Sequence, residues 1–326
     1  MPHRRSLLGA AALPFLAPLV RPAAAQAPWR PDGPVSFIVP YTPGTAQDVM
    51  ARLLSPALGE SLGQAVVVDN RAGASGLIGT QFVSRAAPDG RTLMIQGVPF
   101  AMSPPLMPSL PYDPARSFTP IIRLAEGHVV LAVRPDLPAR DLGAFVALAK
   151  AKPGDLDYAS PGNGTAQHMT MALFNLAAGI ELNHVPYRGT APAVQDLIGQ
   201  RLAAMMLPVA VALPLARAGQ VRLLAIGSDT RSAELPDVPT LAESGYPRAS
   251  VTLWYGIFGP AGLPAPVAGR LNEVLNAWLA RPDTRNVLHG QGLIPGGGTP
   301  GEFNTLVQGE LVRWAGVVRE ARITAD

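Results

Sequence analysis

The chain contains no cysteine, which excludes disulfides, thiolate metal sites and cysteine nucleophiles together. Lysine is nearly absent: of 26 basic residues only Lys150 and Lys152 are not arginine. No run of basic residues exists to grip phosphates, so no nucleic-acid partner is expected. Beyond the N-terminus the histidines are His128, His168, His184 and His289; no two sit three to five residues apart and H-E-x-x-H is absent. No metal motif is therefore preformed, and no metal or cofactor is expected. The serines Ser75 and Ser160 fall in predicted loops, but neither lies in G-x-S-x-G, and no paired carboxylates stand out. Gly73, Gly76 and Gly79 do not have the spacing of a dinucleotide fingerprint. The sequence thus offers no catalytic set, and a binding protein is expected rather than an enzyme.

What is present is enough apolar material for a packed core. Hydrophobic residues are 48% and charged residues 15% of 326, a length that suits two domains. The 33 glycines and 35 prolines make the chain rich in turns without low complexity.

The net charge of +3 has a local origin. The first 25 residues hold Arg4, Arg5 and Arg21 and no acid, so the remainder carries 23 basic and 23 acidic residues. That first segment reads basic, then apolar from Leu7 to Val20, then small at Ala23-Ala24-Ala25. This order predicts a secretory signal peptide over residues 1–25, with export to the periplasm. Arg4-Arg5 followed by Ser6-Leu7-Leu8 fits a twin-arginine signal, with a general secretory signal as the alternative. The apolar run, broken by Pro14 and Pro18, is too short for a span of ~20 residues.

Along the rest of the chain, strand-length apolar runs alternate with helical patterns. Val35–Val39, Ala65–Val68 and Thr92–Gln96 read as strands around helices at Thr45–Leu62 and Leu77–Ala86. In the first helix Val49, Leu53, Leu54, Leu58 and Leu62 fall at helical spacing. A second set runs through His128–Val133, Ala139–Ala151, Leu156–Ser160 and Thr165–Ala178, with Met169, Leu173 and Leu176 on one side of the last helix. Short strands near Asn183–Val185, Ala203–Leu207 and Leu223–Ile226 follow. Pro236–Pro239 then reads as a crossing segment, and Val251–Phe258 as a strand. The predicted fold class is α/β with two lobes and a cleft between them: lobe 1 over 26–124, lobe 2 over 125–245, and a return to lobe 1 over 246–326. Two such lobes joined by crossings form a hinge-closing binding architecture.

Two loops are the candidate sites. Tyr41-Thr42-Pro43-Gly44-Thr45-Ala46-Gln47-Asp48 joins the first strand to the first helix. Ligands bind at the carboxyl ends of parallel strands, and a helix N-terminus attracts anions. Thr45 with Asp48 is also nearly a capping box, so a purely structural role fits the same residues. Ser160-Pro161-Gly162-Asn163-Gly164-Thr165 repeats the construction in the second lobe. His168, one turn further, either faces an anion or packs, and packing is favoured. Trp254-Tyr255-Gly256 reads as core or hinge packing.

These motifs resemble the Bug, or TctC, family of extracytoplasmic receptors of tripartite tricarboxylate transporters. The resemblance runs from about Val35 to the C-terminus. It is carried by Ile38-Val39-Pro40 with Pro43-Gly44 and Asp48, by Val66-Val67-Val68-Asp69-Asn70-Arg71 with Gly73 and Gly76-Leu77-Ile78-Gly79, and by Pro88-Asp89-Gly90. Further matches are Leu110-Pro111-Tyr112-Asp113-Pro114, Tyr158-Ala159-Ser160, His184-Val185-Pro186-Tyr187-Arg188-Gly189, Leu235-Pro236-Asp237-Val238-Pro239-Thr240 and Trp254-Tyr255-Gly256. The resemblance implies a monomeric Venus-flytrap binding protein for a small carboxylate, held by Tyr41–Asp48 and Ser160–Thr165 and delivered to transporter membrane subunits. A receptor feeding a membrane sensor is the alternative, and an exported hydrolase a weaker one. Thr45-Ala46-Gln47 departs from the family's smaller residues in the first loop, and Thr165 replaces its usual serine. Gln47 and Asn163 are the polar side chains expected to set specificity.

Overall fold

The computed structural model describes residues 28–107, 109–228 and 230–321. The signal-peptide expectation lies outside them, as does the side chain of Ser75.

The first lobe opens with β1 (Val35–Val39), α1 (Ala46–Leu62), β2 (Val66–Asn70), α2 (Leu77–Ser84) and β3 (Thr92–Gly97). The strands lie parallel in the order β2-β1-β3. This is the right-handed arithmetic of βαβ units, whose helices cover the sheet. Helix α1 buries Met50, Ala51, Leu54, Leu58 and Leu62, while Val49 is exposed. Of the expected stripe Leu54, Leu58 and Leu62 are buried and Leu53 packs on the core, while Met50 and Ala51 take the place of Val49. Likewise Leu176, expected on the buried side of its helix, is 43% exposed. Gly63 ends α1 in the left-handed region at φ +71° and donates its N–H to Gly59 O. After β3 the chain makes a single-turn helix α3 (Pro99–Met102).

Strand β4 (Phe118–Val133) is 16 residues long and belongs to both lobes. The sequence showed only its second half, because Pro120, Arg123 and Glu126 interrupt the first half's apolar pattern. Through His128 it pairs antiparallel with β9 (Thr252–Pro260); from Val129 on it pairs with β7 (Ala204–Pro208), and from Val130 with β8 (Arg222–Ile226). Between these elements run α4 (Leu142–Ala151), β5 (Asp157–Ser160), α5 (Ala166–Ala178), β6 (Asn183–Pro186), α6 (Thr190–Ile198) and α7 (Val209–Arg217). The second sheet has the order β6-β5-β7-β4-β8, with β5 parallel to β6 and β7.

The chain returns to the first lobe beside its own outward crossing. Gly227 N–H donates to Val129 O at 2.8 Å, and Val251 N–H to Gly227 O at 3.2 Å. Pro236–Pro239 is not that crossing. Ile226 N–H donates to Pro239 O and Leu241 N–H to Ile226 O, which ties the segment to β8 within the second lobe. Strand β9 pairs with β3 as well as β4. Helices α8 (Ala265–Ala280) and α9 (Pro282–Gly290), strand β10 (Leu293–Gly297) on β4, and α10 (Pro300–Ala321) complete the described chain. Helix α10 packs on β4 and α3 and also touches α5 of the second lobe. Near its end Arg313 donates to Ser250 O at 2.8 Å and Glu320 pairs with Arg248 at 2.7 Å.

The larger core is knit by aromatics: Phe100 stacks on Phe258 at 4.9 Å and meets Phe118 edge-on at 5.4 Å. Burying such rings is the main stabilising contribution, at about 1.5–3 kcal/mol each. Among the described residues no helix is long and apolar enough to cross a membrane.

Candidate functional site

Each candidate loop leaves the carboxyl end of a parallel strand and enters a helix. In the first, Thr45 is the N-cap of α1: its Oγ1 accepts Asp48 N–H at 3.4 Å and donates to Thr42 O at 3.1 Å. Asp48 reaches back so that its Oδ2 accepts Gly44 N–H at 2.9 Å. In the second, Thr165 is the N-cap of α5: its Oγ1 accepts His168 N–H at 3.5 Å and donates to Gly162 O at 2.7 Å. His168 reaches back so that its Nδ1 accepts Gly164 N–H at 3.2 Å.

The two loops are thus copies of one device, and their sequences say so. Gly44-Thr45-Ala46-Gln47 and Gly164-Thr165-Ala166-Gln167 are the same four residues. Only the glycine can lead, because Gly44 (φ +85°) and Gly164 (φ +71°) sit in the left-handed region. The N–H groups of Ala46, Gln47, Ala166 and Gln167 have no acceptor inside their helices. The side-chain amides of Gln47 and Gln167 make no hydrogen bond with described residues. Each loop therefore presents two backbone donors, a helix dipole and a glutamine amide, a set suited to an anion.

What braces the loops differs. Asp48 is 3% exposed and also accepts from Asn70 Nδ2 at 2.9 Å and from Arg52 Nε at 3.0 and 3.1 Å. Burial opposes its ionisation, yet Arg52, Gly44 N–H and Asn70 outweigh it and hold the carboxyl below its ordinary value. Asn70 Nδ2 donates in addition to Tyr41 O at 3.1 Å. The Tyr41 hydroxyl donates to Gln96 Oε1 at 2.9 Å, and Gln96 Nε2 to Thr80 Oγ1 at 2.8 Å. Burial pushes the Tyr41 phenol well up, so it stays protonated. The Tyr41 hydroxyl proton and the Asp48 carboxylate are engaged within the protein, and both shape the loop.

The second loop rests on imidazole. His168 stacks on His184 with ring centroids 4.1 Å apart and planes 6° from parallel, and Tyr158 stacks on His184 at 4.8 Å. His184 Nε2 lies 2.7 Å from Ser160 Oγ, which is also bonded to both the carbonyl and the N–H of Gly162. Burial pushes both histidines down to about 4, with the neighbouring His184 adding to the effect on His168.

The end of β3 lies against the first loop and the segment after it against the second. A Cβ added to Gly97 would stand 3.3 Å from Gln47 Nε2 and 3.4 Å from Tyr255 Cδ1. One added to Gly164 would stand 3.3 Å from Leu106 and 3.5 Å from Ser103 Oγ. Thr42 and Gly44 are exposed, and Thr45, Ala46, Gly162 and Asn163 are half-buried; Asn163 has no side-chain partner among the described residues. Sequence reasoning assigns no site role to Gln96, Asn70 or His184, and reads Tyr255 as packing. Asn70 and His184 sit inside strings that carried the resemblance, and the repeated Gly-Thr-Ala-Gln was open to inspection. Tyr255 sits in such a string too, Trp254-Tyr255-Gly256, whose Trp254 is core at 1% exposure. A separate cavity of about 400 Å³ beside α10, lined by Arg123, Gly297 and Glu302 among others, includes none of the loop residues.

Two α/β lobes sharing a long strand, with matched strand-to-helix loops, are the architecture of the periplasmic solute-binding proteins. The family model described as "Tripartite tricarboxylate transporter family receptor" matches residues 50–323. Protein BugT of Bordetella pertussis is 39% identical over 292 residues, covering 89% of this chain and 90% of BugT. The structure of Rpa4515 from R. palustris with adipate superposes with a TM-score of 0.82 at 33% identity, over 90% of this chain and 99% of that one. MatC from Rhodopseudomonas palustris, with bound malate, gives 0.80 at 32% identity, over 88% and 99%. The chain belongs to the tripartite tricarboxylate transporter receptor family, whose members are solute-binding receptors.

Proposed function

We propose that the protein captures a small carboxylate in the periplasm and presents it to the membrane subunits of a tripartite tricarboxylate-type transporter. The observation that carries this reading is the doubled Gly-Thr-Ala-Gln cap, which aims two sets of unspent N–H groups at an anion. In this reading Thr42, Gly44, Thr45, Ala46 and Gln47 act from the first lobe, and Gly162, Asn163, Gly164 and Thr165 from the second. Tyr41, Asp48 and Ser160 hold those residues in place. The chain after residue 25 is formally neutral, so attraction of the anion is local, from dipoles rather than net charge. Closure turns about the crossings at His128–Val129 and at Val251, whose N–H is held by Gly227 O, a few residues beyond the divisions at 124/125 and 245/246 expected from sequence. The ligand selects the closed form because only there do both loops touch it. Export relies on residues 1–25, and N-terminal sequencing of the secreted protein is expected to begin at Gln26. The protein acts as a monomer.

The relatives bound to adipate and malate make four- to six-carbon dicarboxylates the first probes. Calorimetry and thermal shift against a panel of mono- and dicarboxylates test the reading. Saturable binding by at least one member is expected, and no response from any at millimolar concentration overturns it.

The 2.7 Å contact of Ser160 with His184 is the one observation that favours a hydrolase. It is outweighed: Ser160 is fully buried, its Oγ is engaged by Gly162, and no carboxylate among the described residues orients His184. Ester or amide turnover that disappears in Ser160→Ala, with folding intact, would reverse that judgement.

A further inference from the structure

The residue that follows the shared Gly-Thr-Ala-Gln differs between the two loops. Where the first loop pins its glycine N–H with the ionised Asp48, the second pins it with His168. An imidazole can accept that N–H only through an unprotonated Nδ1. We propose that the stacked His168–His184 pair is the positioning device of the second loop, holding it ready for ligand while His168 is neutral, and releasing it when His168 is protonated on acidification. The proposal rests on the carboxylate-binding reading and assigns a role within that site.

Three features support it. The His168 bond fixes the Asn163–Gly164 peptide just before the Thr165 cap, so it sets how the chain enters α5. His184 holds the other end of the loop through Ser160, whose Oγ bridges the carbonyl and N–H of Gly162. The rings are 4.1 Å apart and parallel, so a second positive charge would meet the first at contact distance. Position N3 of a helix, at the positive end of its dipole, further disfavours a cation on His168.

No other charge governs the pair. Tyr158 stacks on His184, and burial keeps its phenol protonated. Asp157 on β5 bonds Asn183, and Tyr187 bonds Asp196, which pairs with Arg201. Arg188 is exposed on the turn after β6. Of the elements packed on α5, α3 and β7 carry no ionisable side chain. Arg248 is paired with Glu320, and Arg313 on α10 with Glu310. Burial lowers both rings, and the neighbouring His184 lowers His168 further.

The test has a ligand-free arm and a binding arm. In the intact mature protein, NMR of the imidazole nitrogens at pH 7 should show His168 neutral with its proton on Nε2, and the Gly164 amide hydrogen-bonded. Acidification should change the Gly164 signal together with protonation of the pair. A proton on Nδ1 at pH 7, or a Gly164 signal indifferent to that protonation, overturns the proposal whether or not a ligand is known. In the binding arm, the tightest dicarboxylate of the panel is titrated against wild type, His168→Leu and His168→Asn. Loss of the acceptor in His168→Leu should weaken binding about tenfold at pH 7.5. His168→Asn, whose Oδ1 can take the Gly164 N–H, should remain within about threefold of wild type. Between pH 7.5 and 3, across the folded value of about 4, wild type should lose about fivefold more affinity than His168→Asn, a comparison that cancels protonation of the ligand. Equal pH profiles for the two proteins overturn the proposal. If wild type binds no member of the panel, the carboxylate reading fails, and the NMR arm alone decides the stack.

Discussion

Asp48→Asn removes one charge from the first loop and leaves its shape. The wild-type carboxylate accepts from Gly44 N–H and Asn70 Nδ2, both at 2.9 Å, and from Arg52. An amide has one oxygen for these donors, so its NH2 group must face either Gly44 N–H or the Asn70 amide. Leaving one buried donor unsatisfied costs about 1–3 kcal/mol. The pair with Arg52, whose side chain is 54% exposed, contributes no more than about 1 kcal/mol. An acid in the first turn of α1 contributes about 0.3–1 kcal/mol through the helix dipole. Together these give a loss of about 2–4 kcal/mol. At about 2 °C for each kcal/mol in a chain of this size, Tm should fall by about 4–8 °C. Calorimetry at pH 7 measures it, and a cycle with Asn70→Ala should show coupling above about 0.5 kcal/mol. Because the folded carboxyl titrates below its ordinary value of 3.8, this stabilisation is present in full above that pH. It disappears as pH falls through the lower folded value, so variant and wild type should converge in acid. A Tm change under 1 °C at pH 7, or strict additivity with Asn70→Ala, would refute the bracing argument.

Other perturbations probe other parts of the molecule. The histidine pair makes wild-type stability fall between pH 6.5 and about 4, because over that range the unfolded chain binds protons that the folded rings refuse. His168 alone accounts for about 3 kcal/mol of that fall, and His168→Asn should flatten it in urea titrations at stepped pH. Gly44→Val places a Cβ in open space at φ +85°, so strain should cost about 1–2 kcal/mol while ligand affinity drops more than tenfold. Unchanged affinity in calorimetry would remove the first loop from the site. Gly256→Ala would set its Cβ 2.8 Å from Ile122 O and against the Phe303 ring, at a cost of about 3 kcal/mol. A urea midpoint within error of wild type would contradict that packing of α10 on β9.

Most of the elements and both loops are legible in the chain alone. Valine-rich runs bounded by glycine and proline name strands, and threonine before an apolar helical pattern names a cap; both depend only on neighbours in the chain. The position of the caps was therefore legible, down to Thr45 and Thr165. Tertiary structure decided everything that depends on who meets whom across the fold. Strand β4 was half hidden because Pro120 and two bulges blur its alternation, and only pairing with β9 makes it a strand. Pro236–Pro239 has the composition of a linker, but its backbone groups are taken by Ile226, so the crossing moves to Val251. Asp48 and His168 look unrelated in a string of letters; the fold gives them one task, because each stands at the third helical position with an acceptor aimed at a glycine N–H. Whether that acceptor is charged or neutral depends on Arg52, one turn along the same helix, and Asn70 in one lobe and on a stacked His184 in the other; Asn70 and His184 arrive from other strands.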